Sequence, residues 1–212
     1  MFWVDEVIKK VGSKPQHITD GKTPSGRIHV GSLRGVLIHN AIYQELIKKK
    51  ITVKFSYIFD DLDAFDSVPV GLDEDVFAKY IGLPLNKVPS PAPSADNYAE
   101  FFANKFIEVF SSLGVAPEIH WQSKLHSDGT LNEAIKIALD NAEKIQDIYL
   151  KVSGSKKKEQ GWLPFQPICE KCGKIGTTKA VKWDGKHIEY ECLTDLVTWA
   201  KGCEHRGKIS PF

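Results

Sequence analysis

No cysteine occurs in this chain before Cys169; all four, Cys169, Cys172, Cys192 and Cys203, fall in the last quarter of 212 residues. Such clustering excludes a disulfide framework spread over the fold and, in a cytosolic chain, favours a metal site. Long apolar runs are missing as well. The opening residues Met1-Phe2-Trp3-Val4-Asp5-Glu6-Val7-Ile8-Lys9-Lys10 carry acidic side chains inside their apolar run, so they do not make a signal peptide, and no stretch approaches a membrane span. The expected location is cytoplasmic, with no membrane partner. A charge of one sign is also lacking: the formal net charge is +1. That excludes a strongly basic nucleic-acid-binding surface over the whole molecule, and any RNA contact must be local.

Two nucleotide signatures are absent too. The glycines of residues 17–35 follow neither the G-x-G-x-x-G dinucleotide spacing nor the G-x-x-x-x-G-K-[ST] spacing of a P-loop. What is present there is a strand candidate at residues 17–20, a turn containing Gly21, Gly26, Gly31 and a proline, and a long helical pattern from Val30. In an open parallel sheet such a strand–turn–helix places backbone N–H groups and a helix N-terminus at the carboxyl end of the strands, facing an anion; a phosphate is the expected guest. His29-Val30-Gly31-Ser32 puts an imidazole at the mouth of the helix and a glycine two residues later, where a missing side chain would let a nucleotide lie against the backbone.

That tetrad resembles the HIGH element of class I aminoacyl-tRNA synthetases and related nucleotidyl transferases. The longer string Thr23-Pro24-Ser25-Gly26-Arg27-Ile28-His29-Val30-Gly31-Ser32-Leu33-Arg34-Gly35 is similar to the T-P-S-G-x-x-H-[IV]-G-[NS]-x-R stretch of class I, archaeal-type lysyl-tRNA synthetases. Likeness continues through Phe59-Asp60-Asp61-Leu62-Asp63, Tyr80-Ile81-Gly82-Leu83-Pro84-Leu85, Tyr98-Ala99-Glu100-Phe101-Phe102 and Trp162-Leu163-Pro164-Phe165, up to Cys169-Glu170-Lys171-Cys172-Gly173. One departure stands out: where the family continues the acidic element with Pro-x-Arg-Lys, this chain has Ala64, Phe65, Asp66 and Ser67.

Periodicity predicts an amphipathic helix from Phe2 to Val11 ended by Gly12, a helix from Val30 to Lys49, and a β-branched, aromatic strand from Thr52 to Phe59. One helix between two strands makes a βαβ unit with a parallel, right-handed crossover. Asp60, Asp61 and Asp63 leave the second strand at its carboxyl end, where they either face the ligand crevice or cap a turn. Ser94 is expected to cap a helix at residues 95–113. A third strand at Glu118–Trp121 and one helix at residues 131–150 complete three α/β repeats, in a fold that normally needs about five or six strands. Residues 151–158 look like the K-M-S-x-S-K loop of class I synthetases, but they leave a helix and enter the cysteine region, and are read as a linker.

The fold class expected is therefore α/β: a doubly wound, Rossmann-like parallel sheet of the HIGH-type nucleotidyl transferases, incomplete, with a zinc-ribbon insertion. Residues 1–152 form the first part of the catalytic domain and 153–212 the linker and ribbon. Cys169-Glu170-Lys171-Cys172-Gly173 reads as a knuckle that turns two thiolates toward one metal. Cys192 closes a β-like run, and Gly202-Cys203-Glu204-His205 offers one or two further ligands. Cys192 and Cys203 are farther apart than in a second C-x-x-C, so Cys169, Cys172, Cys192, Cys203 and His205 compete for four places around Zn2+.

The resemblance implies a lysine-tRNA ligase, with lysine, tRNA-Lys and ATP (with Mg2+) as substrates. It implies His29 and Ser32 as catalytic groups, Ser25, Gly26, His29, Gly31 and Ser32 as the ATP site, and Gly21 and Thr23 on the lysine site. Asp60 and Asp61 would hold an ammonium group or ribose hydroxyls. Two other readings stay open: a non-catalytic zinc-ribbon RNA-binding or regulatory relative, and a small nucleotidyl transferase with a non-tRNA acceptor. The expectation is also that these 212 residues are an N-terminal portion, unable to aminoacylate alone.

Overall fold

The computed structural model describes residues 3–154 and 161–212; the lysines at 156–158 lie outside them. By density of contact the chain forms two compact units, Met1–Asp61 with Pro89–Gln122, and Leu62–Val88 with Ser123–Phe212. Each is discontinuous in sequence.

The first unit is built on a parallel sheet of β1 (Gln16–Lys22), β2 (Val53–Phe59) and β3 (Glu118–Trp121), in the order β1-β2-β3. Register runs from Gln16 opposite Val53 to Lys22 opposite Phe59, so β1 and β2 end side by side. Alternation puts Ile18 of β1 and Phe55, Tyr57 and Phe59 of β2 on one face, where they pack with Val36, Phe106 and Phe110. Before the sheet, α1 (Trp3–Val11) buries Val4 and Ile8 with Leu46, and ends at Gly12, whose φ of 66° is a left-handed conformation suited to glycine.

The chain passes from β1 through the glycine loop into α2 (Val30–Lys48), which contacts α1, β1 and β2. Between β2 and the next long helix come the short helix α3 (Glu74–Phe77) and two 3-10 turns, Ala78–Tyr80 and Leu85–Lys87. The next long helix is α4 (Tyr98–Ser112), and its start is not the one that Ser94 suggests. Asn97 is the cap: its Oδ1 accepts from the N–H of Glu100 at 3.0 Å, while the Glu100 carboxylate reaches back to the N–H of Asp96 at 3.2 Å. That reciprocal pair satisfies two amides, which a lone serine upstream does not.

After β3 come a short α5 (Gln122–Ser127), which periodicity does not reveal, and then two helices where one is expected, α6 (Asn132–Asp140) and α7 (Ala142–Ser153). Asn141 divides them at φ −120°, ψ 25°, and its side-chain amide donates to the carbonyl of Ile137 at 2.8 Å, a competing contact of the kind that disfavours asparagine inside helices. The second unit also holds an antiparallel sheet of β4 (Thr178–Trp183), β5 (Ile188–Cys192) and β6 (Arg206–Ile209), with a bulge between Ala180 and Lys182. Leu139, Ala180 and Ile188 form one small core of this unit, and Cys169, Tyr190 and Cys192 another.

Candidate nucleotide loop and metal centre

Because β1 and β2 are parallel and in register, everything that follows their last residues emerges at one edge of the sheet. The Lys22 carbonyl accepts from the N–H of Asp60 at 3.1 Å, so the loop from Thr23 and the Asp60-Asp61 turn start side by side. Asp61 is buried, at 4% exposure. Gly21 lies against the neighbouring strand, where a Cβ would stand 2.8 Å from the carbonyl oxygen of Ile58. The glycine there serves strand packing. The loop itself is pinned by Tyr98, fully buried in the first turn of α4, whose hydroxyl donates to the Ser25 carbonyl at 2.8 Å. Composition gives no hint of that role; an aromatic at the start of an amphipathic helix reads as core.

His29 is the N-cap of α2, in extended backbone at φ −90°, ψ 163°, and its Nδ1 accepts from the N–H of Gly31 at 3.1 Å. An imidazole nitrogen that accepts leaves the proton of the neutral ring on Nε2, which points a donor away from the helix. Gly31 makes this cap sterically allowed: a Cβ there would lie 2.7 Å from His29 Cε1 and 2.9 Å from Nδ1. The missing side chain therefore leaves room for the histidine ring. Ser32 donates its N–H to the His29 carbonyl at 3.0 Å, within the same first turn. His29, Gly31 and Ser25 are exposed, and Gly26 and Ser32 half-buried. A cavity of about 420 Å³ opens beside the helix start, lined by Arg27, His29 and Lys105 over Leu33, Phe102 and Phe106. Two of its cations, Arg27 and Lys105, had no sequence signal beyond their charge.

The second cluster is the cysteines. Cys169 donates its N–H to the Lys174 carbonyl at 2.9 Å and Gly173 donates to the Cys169 carbonyl at 2.8 Å, closing a tight turn with Gly173 at φ 74°. Cys192 repeats the pattern: its N–H donates to the His205 carbonyl at 2.9 Å, and Glu204, at φ 60°, donates to the Cys192 carbonyl at 2.9 Å. Leu193 and Gly202 are the two middle residues of this second knuckle, joined by Gly202 N–H to Leu193 carbonyl at 2.9 Å, and residues 194–201 are extruded between them. The extra sequence between Cys192 and Cys203 is an insertion into a C-x-x-C turn, which spacing alone cannot distinguish from a different ligand set.

His205 thus falls at the position of Lys174, contributes a carbonyl to the turn, and has its ring edge-on to Tyr190 at 6.1 Å. It is not a member of the ligand group. That group is Cys169, Cys172, Cys192 and Cys203, whose sulfurs all lie within 4.8 Å of one another. The Cys169–Cys203 and Cys172–Cys192 Sγ pairs are 3.7 Å apart. Bonds of about 2.3 Å in a tetrahedron require edges of about 3.8 Å, so four thiolates fit one soft metal ion. Burial raises the Cys169 thiol, but the N–H groups of Cys172 and Lys171 and the neighbouring thiols outweigh it and bring it down to about 7. Burial pushes Cys172 up to about 12. Thr177 Oγ1 at 3.3 Å and the Cys203 N–H at 3.4 Å from the Cys192 sulfur add polar support.

The family model for tRNA synthetases class I (K) matches residues 1–211. The lysine–tRNA ligase of Thermoplasma acidophilum is 35% identical over 192 residues, covering 91% of this chain and 37% of the relative. That of Methanosarcina barkeri is 34% identical over 215 residues (99% and 38%), and that of Archaeoglobus fulgidus 33% over 213 (99% and 41%). The chain thus spans about two fifths of the length of these curated relatives. No helix among the described residues is long and apolar enough to cross a membrane. With a HIGH-type loop capped by His29 and a match along nearly its whole length, this chain belongs to the class I tRNA synthetases of the lysine type.

Proposed function

We propose that this chain carries the nucleotide-binding start of a class I lysine–tRNA ligase, acting in the cytoplasm on lysine, ATP with Mg2+, and tRNA-Lys. In the first step the lysine carboxylate attacks the α-phosphate of ATP, forming lysyl-adenylate and releasing pyrophosphate; in the second the lysyl group passes to the 3′ end of the tRNA. The protein's part is to position reactants and stabilise phosphate charge, without a covalent enzyme intermediate. His29, through Nε2–H, and Ser32, through its hydroxyl, donate to the phosphates, and Ser25, Gly26 and Gly31 form the backbone cradle. Gly21 and Thr23 line the lysine site, and Asp60 and Asp61 hold an ammonium group or ribose hydroxyls.

The observation that carries this reading is the His29 cap: an exposed imidazole donor fixed on the N-terminus of α2, at the edge where β1 and β2 both end. The four cysteines are proposed to bind one Zn2+ as a structural staple, which draws the two knuckles together. Residues 1–152 would then be the first part of the catalytic domain, with 153–212 as linker and zinc ribbon. The test is lysine-dependent exchange of pyrophosphate into ATP by a complete protein that carries this chain as its first part. Exchange that needs lysine supports a ligase, RNA binding without exchange points to a non-catalytic relative, and exchange driven by another acid points to a different nucleotidyl transferase.

A further inference from the structure

We infer that Asp20 and His39 are a positioning pair for amino-acid activation, a role that rests on the ligase reading above. Asp20 is the residue before Gly21 at the end of β1. Its Oδ1 accepts from the N–H of Gly21 at 2.8 Å, and its Oδ2 accepts from His39 Nδ1 at 3.0 Å. The carboxylate also rests on the backbone of α2: a Cβ added at Gly35 would lie 2.9 Å from Oδ2. Gly35 is thus a gap in the helix surface through which the strand end touches α2. The pair is partly shielded, with side-chain exposures of 19% for Asp20 and 34% for His39.

The consequence follows from helix geometry. At 100° per residue, Ser32 and His39 project from α2 within about 20° of each other, two turns apart. A clamp on His39 therefore sets the rotation of α2 about its own axis, and with it the direction in which Ser32 points. The same carboxylate orients the Gly21 amide, at the start of the segment that leads to Thr23. One side chain consequently holds the proposed lysine-binding strand end and the proposed phosphate-binding helix in a single geometry. Neither Asp20 nor His39 touches a reacting atom on this account; both act through the groups they hold. A carboxylate facing a helix glycine and a histidine would be an expensive way to make a merely structural contact, since apolar side chains fill the rest of this interface.

The experiment uses the full protein, with Asp20→Ala, His39→Ala, the double variant and His39→Asn, which keeps an N–H donor near the Nδ1 position. Lysine-dependent exchange is measured as kcat and as KM for lysine and for ATP, beside thermal unfolding. Misplacement of reacting groups by about 1 Å costs on the order of 10²-fold. The expected result is a loss of roughly 10-fold to 10²-fold in kcat in each alanine variant, no further loss in the double variant because the two act as one unit, and substantial recovery in His39→Asn. Folding should persist in His39→Ala, whose side chain is partly exposed. A wild-type kcat in His39→Ala and Asp20→Ala, additive losses, or failure of His39→Asn to recover any rate would overturn the inference while leaving the ligase reading intact. Absence of exchange in the unaltered complete protein that carries this chain would remove that reading, and this inference with it.

Discussion

Cys192 donates its backbone N–H to the carbonyl of His205 at 2.9 Å, the contact that Cys169 makes with Lys174 in the first knuckle. This equivalence makes His205 a turn residue and leaves the candidate metal site with sulfur alone. Protein prepared without chelators should hold one Zn2+ per chain, with sulfur distances near 2.3 Å by X-ray absorption. His205→Ala should keep the metal and Cys203→Ser should lose it. A nitrogen ligand in the absorption spectrum would contradict the assignment.

Residues 194–201 are extruded from between Leu193 and Gly202, which already hydrogen-bond at 2.9 Å. Deleting them, so that Cys192-Leu193-Gly202-Cys203 becomes a continuous C-x-x-C, should leave metal binding intact. Some stability should be lost, because Trp199 packs on Gly176 and the Lys174 ammonium donates to the Lys201 carbonyl at 2.9 Å. Gly202→Ala should do the reverse and weaken metal binding in the uncut chain, since its Cβ would lie 2.3 Å from the Leu193 carbonyl oxygen. Metal titration of both variants decides the point; loss of metal in the deletion would refute the inserted-knuckle description.

At the nucleotide loop, His29→Ala should lower the exchange rate by roughly 10²-fold or more, the scale for losing a preorganised charge stabiliser. Gly31→Ala should mimic part of that loss, because its Cβ would displace the imidazole. It should also cost about 1 kcal/mol of stability through the broken cap. Kinetics and thermal unfolding on the two variants separate the effects. If Gly31→Ala keeps full activity, the ring is not held where the cap puts it for catalysis.

The Tyr57 hydroxyl is raised well above its ordinary 10.0, first by burial and then by the charge of Asp20. A neutral form favoured by the fold stabilises it fully below the unfolded value, near pH 10, and that contribution is lost as pH rises through the folded value. Alkaline titration followed by tyrosinate absorbance should therefore show a late phase that coincides with unfolding. Asp20→Asn should move that phase to lower pH. A late phase unmoved by Asp20→Asn would place the two groups too far apart to interact.

Local features of the chain are enough to define most of the architecture. Alternation at residues 53–59, the helical stripe after Val30 and the glycine turn between them make a parallel βαβ unit, because 2.0 and 3.6 residue periods are written directly in side-chain polarity. The same holds for Glu118–Trp121 and for the Cys169–Cys172 knuckle. Only the folded chain decided which of the possible contacts form, whether their partners are near or far in sequence. Asn97 and not Ser94 starts α4 because of where Glu100 reaches, and Tyr98 serves the loop because its hydroxyl meets Ser25. Gly31 faces the His29 ring, Gly35 faces Asp20, and residues 194–201 leave a knuckle whose halves meet again through Gly202. A glycine's purpose is a statement about the atom that occupies its missing Cβ, and only the folded chain brings that atom there.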